Sequence, residues 1–371
     1  MLRSHLLLVI LLLLTSPARA ANKAVILRGG TYSGGEYAGI TIDTAEPVII
    51  EEMTLRGEGT LIASHYRRAN VIIRNVRGYG PEGGRAGRFV SLEGFVNARI
   101  ENCHLERTRG IYLLDYAGDR SERQTVRILR NRARNIDGRR GDGKVDLVQF
   151  AQLDKVRHLP GIEIAWNEVI NEPGQSAVED VISIYLSSGT AESPLKIHDN
   201  FIRGAYPLNP QTGSYSGGGI MLGDGVAKDG AAGDPAFVHA FDNQVLDTTN
   251  YGIAISAGHD CHAYRNRVVS AGVLPDGKRI AAQNVGIYVW DSYKAGKDRF
   301  HDNAGRENVA GWVKGDARND WWRPHAHAWE ANLNWPGEIT LQVYELEWQR
   351  WQGKLQANSI SVGAQPSPPV R

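Results

Sequence analysis

The sequence predicts an all-β chain wound as a solenoid, and three observations predict it. A short pattern, apolar-x-apolar-x-x-Asn, recurs eight times between residues 75 and 303. Most copies are followed by a second apolar run that opens on Gly or Asp: GIYLLD (110–115), DLVQFAQ (146–152), DVISIYL (180–186), GIMLGD (219–224), GIAISA (252–257) and GIYVWD (286–291). Glycine is also in excess, at 42 of 371 residues, where about 7% is usual. A turn-rich, repeating strand pattern follows.

The pattern ends at Asn131, Asn167, Asn200, Asn243 and Asn266, more weakly at Asn303, and in a version one residue shorter at Asn75 and Asn102. Successive copies lie 23 to 43 residues apart, so strands and bends are constant while the loops between them vary. Alternating apolar residues over four or five positions read as strands. Asn tolerates left-handed backbone and suits a sharp bend. Stacked coil on coil, its amides can bond one another in a ladder. The arrangement that satisfies all of this is a single-stranded right-handed parallel β-helix of about nine or ten coils, cored by Val, Ile and Leu. A β-sandwich would need eight coincidental Asn spacings. Segments 25–32 and 46–62 read as a first coil or cap, because a bare solenoid end exposes strand edges.

The two ends are of different composition. Arg3, the apolar run Leu6 to Leu14 and Ala18-Arg19-Ala20 make residues 1–20 a signal peptide. That run is too short to span a bilayer core of ~30 Å, and no second run of spanning length follows. An exported protein, periplasmic or extracellular, is expected, with no transmembrane segment. Seven of the nine Trp lie from Trp312 onward. Segment 340–357 has helical spacing, with Leu341, Tyr344, Trp348 and Trp351 on one side. The expected division is therefore signal peptide 1–20, β-helix 21–315, and a Trp-rich cap and tail with a short helix over 316–371. Aromatic sugar-stacking subsites are the other use for those Trp residues.

Charge and cysteines exclude several classes. Lys and Arg number 42 against 41 Asp and Glu, and a net charge so near zero argues against a nucleic-acid binder, which would normally be basic. Cys103 and Cys261 fall several coils apart, too far for a disulfide, and read as buried core residues.

Taking Ile111, Val148, Ile182, Ile220, Ile253 and Ile287 as equivalent inward positions, the column two residues earlier is Arg109, Asp146, Asp180, Gly218, Tyr251 and Val285. Asp146 and Asp180 then stack one strand spacing apart, ~4.8 Å. Like charges so placed must be separated, bridged or protonated. Glu179 and Asp224 crowd the same area, with Lys144, Gln149, Ser183 and Tyr185 close by in register. Asp146, Asp180, Glu179 and Asp224 are the candidate catalytic groups; Lys144, Gln149, Tyr185 and His259 are the candidate substrate-binding groups. A solvated polar face is the alternative use of the same residues.

These features resemble the secreted pectate-lyase-like right-handed β-helix superfamily over roughly residues 24–315. VEDVISIYLSSG (178–189) is similar to the Asp-Asp strand of polygalacturonase-type glycoside hydrolases, with KVDLVQF (144–150) one coil earlier and SGGGIMLGDG (216–225) one coil later. The resemblance implies a polysaccharide substrate and catalytic carboxylates at Asp146, Asp180 and Glu179. Gly218 stands where that family has His, and YGIAIS (251–256) lacks its Arg-x-Lys, which puts polygalacturonate itself in doubt. In hydrolysis one carboxylic acid protonates the leaving oxygen and a carboxylate partner activates water or attacks. In β-elimination or epimerisation a base such as Lys144 or His259 would act, with Ca²⁺ held by carboxylates. A non-catalytic glycan-binding or export scaffold is the third class. The expectation is a monomeric hydrolase without cofactor or resident metal.

Overall fold

The computed structural model describes residues 24–83, 85–121, 123–212 and 215–365. The signal peptide read over 1–20 and the tail beyond residue 365 lie outside them. Short strands follow one another into three sheets in strict rotation, and each strand pairs with the strand three places on. Sheet 1 runs from Ala24–Leu27 to Trp321–Trp322 and sheet 2 from Gly30–Ser33 to Ala328–Glu330, each with eleven strands. Sheet 3 begins at Glu36–Tyr37 and reaches Val309–Lys314. The pairing is parallel except where Ala317–Arg318 folds back on Val309–Lys314. This is a parallel β-helix of eleven coils.

Alternation makes the core. In sheet 2, Val48, Val71, Ala98 and Val126 stack in register, as do Ile50, Ile73, Ile100, Ile128, Ile164, Ile197, Ala240 and Ala263. All are buried. Full burial of one such aliphatic side chain is worth about 1.5–3 kcal/mol, and every coil adds several. Cys261 continues the Leu195–Val238 column, and both Cys103 and Cys261 are buried and free. Burial pushes both thiols up to about 12, so neither is a nucleophile at neutral pH.

The Asn ladder forms, one residue away from the bend. Asn131, Asn167, Asn200, Asn243, Asn266, Asn308 and Asn332 bond side chain to side chain at 2.9–3.0 Å. Each also donates to a carbonyl of the preceding coil, as Asn200 does to Ile164 at 2.9 Å. The left-handed residue is the one before: Arg130, Trp166, Asp199, Asp242, Arg265, Glu307 and Ala331 have φ of 50–60°. Asn75 and Asn102 occupy this bend position, with φ of 57° and 51°, so they belong to the corner and not to the ladder. Asn303 serves a different corner, accepting from the Cys261 amide, and Asn308 holds its expected place.

Parallel pairing continues past residue 315, because Trp321 and Trp329 pack against the last core layer and close it. The C-terminal helix is Gln342–Ala357. Its Val343, Tyr344, Trp351 and Leu355 bury against Phe201, Leu246 and Val269, so it covers the flank of sheet 3. No helix among the described residues is long and apolar enough to cross a membrane.

Candidate active site

The outer face of sheet 1 carries the polar cluster. Four neighbouring coils enter this sheet with two consecutive residues turned inward: Phe150–Ala151, Val181–Ile182, Gly219–Ile220 and Gly252–Ile253. The residue before each pair therefore points outward at the very start of the strand. Strand pairing makes this outward column Gln149, Asp180, Gly218, Tyr251 and Val285.

The expected Asp146–Asp180 stack is not there. Ile111 pairs with Ala151, and Ala151 with Ile182, so the residue one coil before Asp180 is Gln149. The strand read as 146–152 is Ala151–Asp154, and Val148 lies ahead of it although its side chain is in the core. Asp146 sits in the incoming loop, paired with Arg109 at 2.6 Å and Arg140 at 3.3 Å. These guanidiniums outweigh its partial desolvation and hold its carboxyl below the usual range. Such a carboxylate is an anchor for the loop. Lys144 is exposed at the tip of the same loop, whose turn is closed by Arg140 N donating to the Lys144 carbonyl.

Asp180 is 7% exposed. The next coil offers Gly218, and the coil after it Tyr251, whose hydroxyl reaches over the glycine and donates to Asp180 Oδ1. A Cβ on Gly218 would fall 2.3 Å from the Tyr251 ring and 2.4 Å from Asp180 Oδ1. Glycine is thus required for side-chain space, not for backbone freedom. Among the described residues Asp180 Oδ2 has no hydrogen-bond partner, and the residue keeps 7% of its surface exposed. Burial pushes the carboxyl up to about 8, the Tyr251 bond opposes this, and Glu179 and Asp224 add repulsion.

Glu179 accepts from Ser216 Oγ at 2.8 Å, and Asp224 accepts from Tyr293 at 2.5 Å. Burial raises both carboxyls as well. Among the described residues no Lys, Arg or His pairs with Glu179, Asp180 or Asp224. Tyr185 lies beside Asp224 in register, and Tyr288 stands edge-on to Tyr251, with ring centroids 5.4 Å apart. Gln149 is buried with its Oε1 unpartnered. His259 opens a strand of sheet 2, away from this cluster, with Asp260 at 2.7 Å from its Nδ1.

Tyr215 joins the acids to an aromatic groove. It lines a concavity with Glu179, Ser216, Leu147 and Leu208 on one side. On the other it lines a groove of about 590 Å³ with Tyr288, Trp290 and Trp322, and with Asn250, Asn284 and Lys314 among its polar groups. Tyr215, Trp290 and Trp322 are 60%, 43% and 53% exposed. Tyr251, Tyr288, Tyr293 and Ser216 were not singled out from sequence. Tyr251 stood in the aligned column, and its place beyond a glycine was the available signal.

Fold and face together define a class: a parallel β-helix protein with a carboxylate–tyrosine cluster and an aromatic groove on one sheet. Comparison with protein-family models, curated proteins and solved structures finds no match.

Proposed function

We propose that this protein hydrolyses glycosidic bonds of a polysaccharide laid along the outer face of sheet 1. The observation that carries the reading is Asp180, a nearly buried carboxyl at the start of an outer strand of sheet 1, pushed up to about 8, held at Oδ1 by Tyr251 and with no cation paired to it among the described residues. A group in that state is protonated at neutral pH and can give its proton to a leaving oxygen. Glu179, the neighbour that repels Asp180 more than Asp224 does, is the partner that activates water. Repulsion between the two drives their titrations apart, as an acid/base pair requires. Exposed Tyr215, Trp290 and Trp322 offer apolar ring faces to sugars, and the flanking amides offer hydrogen bonds to hydroxyls.

Elimination from a uronate calls for a base and for groups that neutralise the substrate carboxylate, and among the described residues no cationic side chain pairs with these acids. The test is a panel of neutral and acidic polysaccharides, with and without chelator. New reducing ends are expected, together with a loss of about 10²–10⁴-fold in Asp180→Asn. Chelator-sensitive release of unsaturated uronate would replace this reading with a Ca²⁺-dependent lyase. Binding with no product would replace it with a scaffold.

A further inference from the structure

At the corner leading into sheet 2, two adjacent coils repeat the same dipeptide, His259-Asp260 and His301-Asp302. The imidazoles of His259 and His301 stack with centroids 4.6 Å apart and planes 10° from parallel. Each Nδ1 meets the carboxylate of the following residue, at 2.7 Å to Asp260 and 2.9 Å to Asp302. Asp302 at Nδ1 fixes the proton of His301 there and leaves its Nε2 lone pair free, which is how metal-ligating histidines are commonly held. Asp260, by contrast, lies close enough to both rings to leave His259 Nδ1 and become a ligand itself. Among the described residues neither Nε2 has a hydrogen-bond partner.

We propose that His259, Asp260 and His301 bind a divalent transition-metal ion, Zn²⁺ by the chemistry of the donors. They form the only group of three His, Cys, Asp or Glu among the described residues whose ligand atoms all lie within 4.8 Å of one another. Zn²⁺ with bonds of about 2.0–2.1 Å needs ligand atoms about 3.3–3.5 Å apart, so rotation of half-exposed side chains closes the site. Imidazole with carboxylate favours Zn²⁺ and its neighbours over Mg²⁺ or Ca²⁺, which prefer all-oxygen sets. A concavity of about 450 Å³ beside the stack, lined by Asp291, His301, Asp302 and His327, gives the ion an entry and leaves room for water ligands.

Two comparisons within the chain show why this corner differs from its neighbours. His198-Asp199 is the same dipeptide, but His198 spends both nitrogens, on Asp199 at 2.7 Å and Glu163 at 3.2 Å. His239 and His262 stack at 4.7 Å, but no carboxylate bonds either ring, and His262 Nε2 faces the Asp302 carbonyl at 3.0 Å. Among the described residues only the 259–301 pair combines stacked rings, carboxylates at Nδ1 and free Nε2 atoms. The bound ion would tie two coils together beside the concavity that Asp291 and His327 line.

The test uses the tag-free protein, stripped with chelator and titrated with ZnCl₂ by calorimetry, with elemental analysis of the product. One Zn²⁺ per chain is expected, with a higher melting temperature. His259→Gln and His301→Gln should each weaken binding about tenfold or more, and Asp302→Asn about tenfold through loss of the supporting bond. Circular dichroism confirms that each variant is folded. No stoichiometric uptake by wild type, or unchanged uptake by the folded His259→Gln/His301→Gln double variant, overturns the proposal.

Discussion

Replacing Asp180 by Asn should make the protein inactive and, at alkaline pH, more stable. The residue is 7% exposed, and its carboxyl is pushed from 3.8 to about 8. Ionising it in the folded state therefore costs on the order of 5 kcal/mol more than in the unfolded chain, at ~1.4 kcal/mol per tenfold in the equilibrium. The sign follows from proton counting. Between pH 4 and 8 the folded state keeps a proton that the unfolded chain has released, so stability is full below about pH 4 and falls as pH rises toward 8. Glu179 and Asp224, also raised, act in the same direction. Asn has nearly the same shape, cannot ionise, and still accepts the Tyr251 hydrogen bond. Urea unfolding of both proteins at about pH 5 and pH 9 reads the difference. Wild type should lose at least about 2 kcal/mol more than Asp180→Asn across that interval, and the variant should be the more stable at pH 9. Superimposable pH–stability curves would refute the raised carboxyl. A flattened curve with full activity would leave the burial intact and remove Asp180 from catalysis.

Gly218→Ala puts a methyl 2.3 Å from the Tyr251 ring; expected are a loss of about 1–3 kcal/mol in thermal unfolding and a displaced pH optimum as Tyr251 leaves Asp180. Asn200→Ala orphans the Asn167 amide N–H and side-chain N–H and the Ile164 carbonyl, all buried. At about 1–3 kcal/mol per orphaned group, denaturant titration should show about 3–9 kcal/mol lost, whereas Asn75→Gly, at φ 57°, should stay within about 1 kcal/mol. Trp290→Ala and Trp322→Ala should each raise KM for polysaccharide by about three- to tenfold with kcat nearly unchanged, from loss of ring stacking worth about 0.5–1.5 kcal/mol.

The solenoid was legible because a parallel β-helix repeats its physics in every coil. Inward residues alternate, bends need left-handed backbone, and buried amides need partners, so a motif as short as apolar-x-apolar-x-x-Asn carries the architecture. Two roles defeated the reading of single copies. Asn serves both as the left-handed bend residue and as the ladder residue next to it, and residue type alone does not separate Asn102 from Asn131. The backbone does: Asn102 has φ of 51°, while Asn131 places its side chain in the core. Composition placed the helix correctly but drew the end of the solenoid at 315, since aromatic residues that finish a core look from sequence like a separate segment.

The site was legible in its acids and not in its geometry. Counting by twos from Val148 assumes unbroken alternation, and the inward pair Phe150–Ala151 breaks it. Asp146 thereby moved into line with Asp180, when its real partners are arginines. Gly218 was read as a missing histidine, since one chain position was being compared with a family pattern. In three dimensions the absence is filled from the next coil. Tyr251 occupies the space a side chain at 218 would need, and it delivers its proton donor to Asp180, the most buried carboxyl of the cluster, which burial pushes up to about 8. A histidine at 218 would exclude that tyrosine. Gly218 and Tyr251 are therefore one device spread over two coils: the glycine clears the space, and the tyrosine crosses it to hold the acid with a neutral donor.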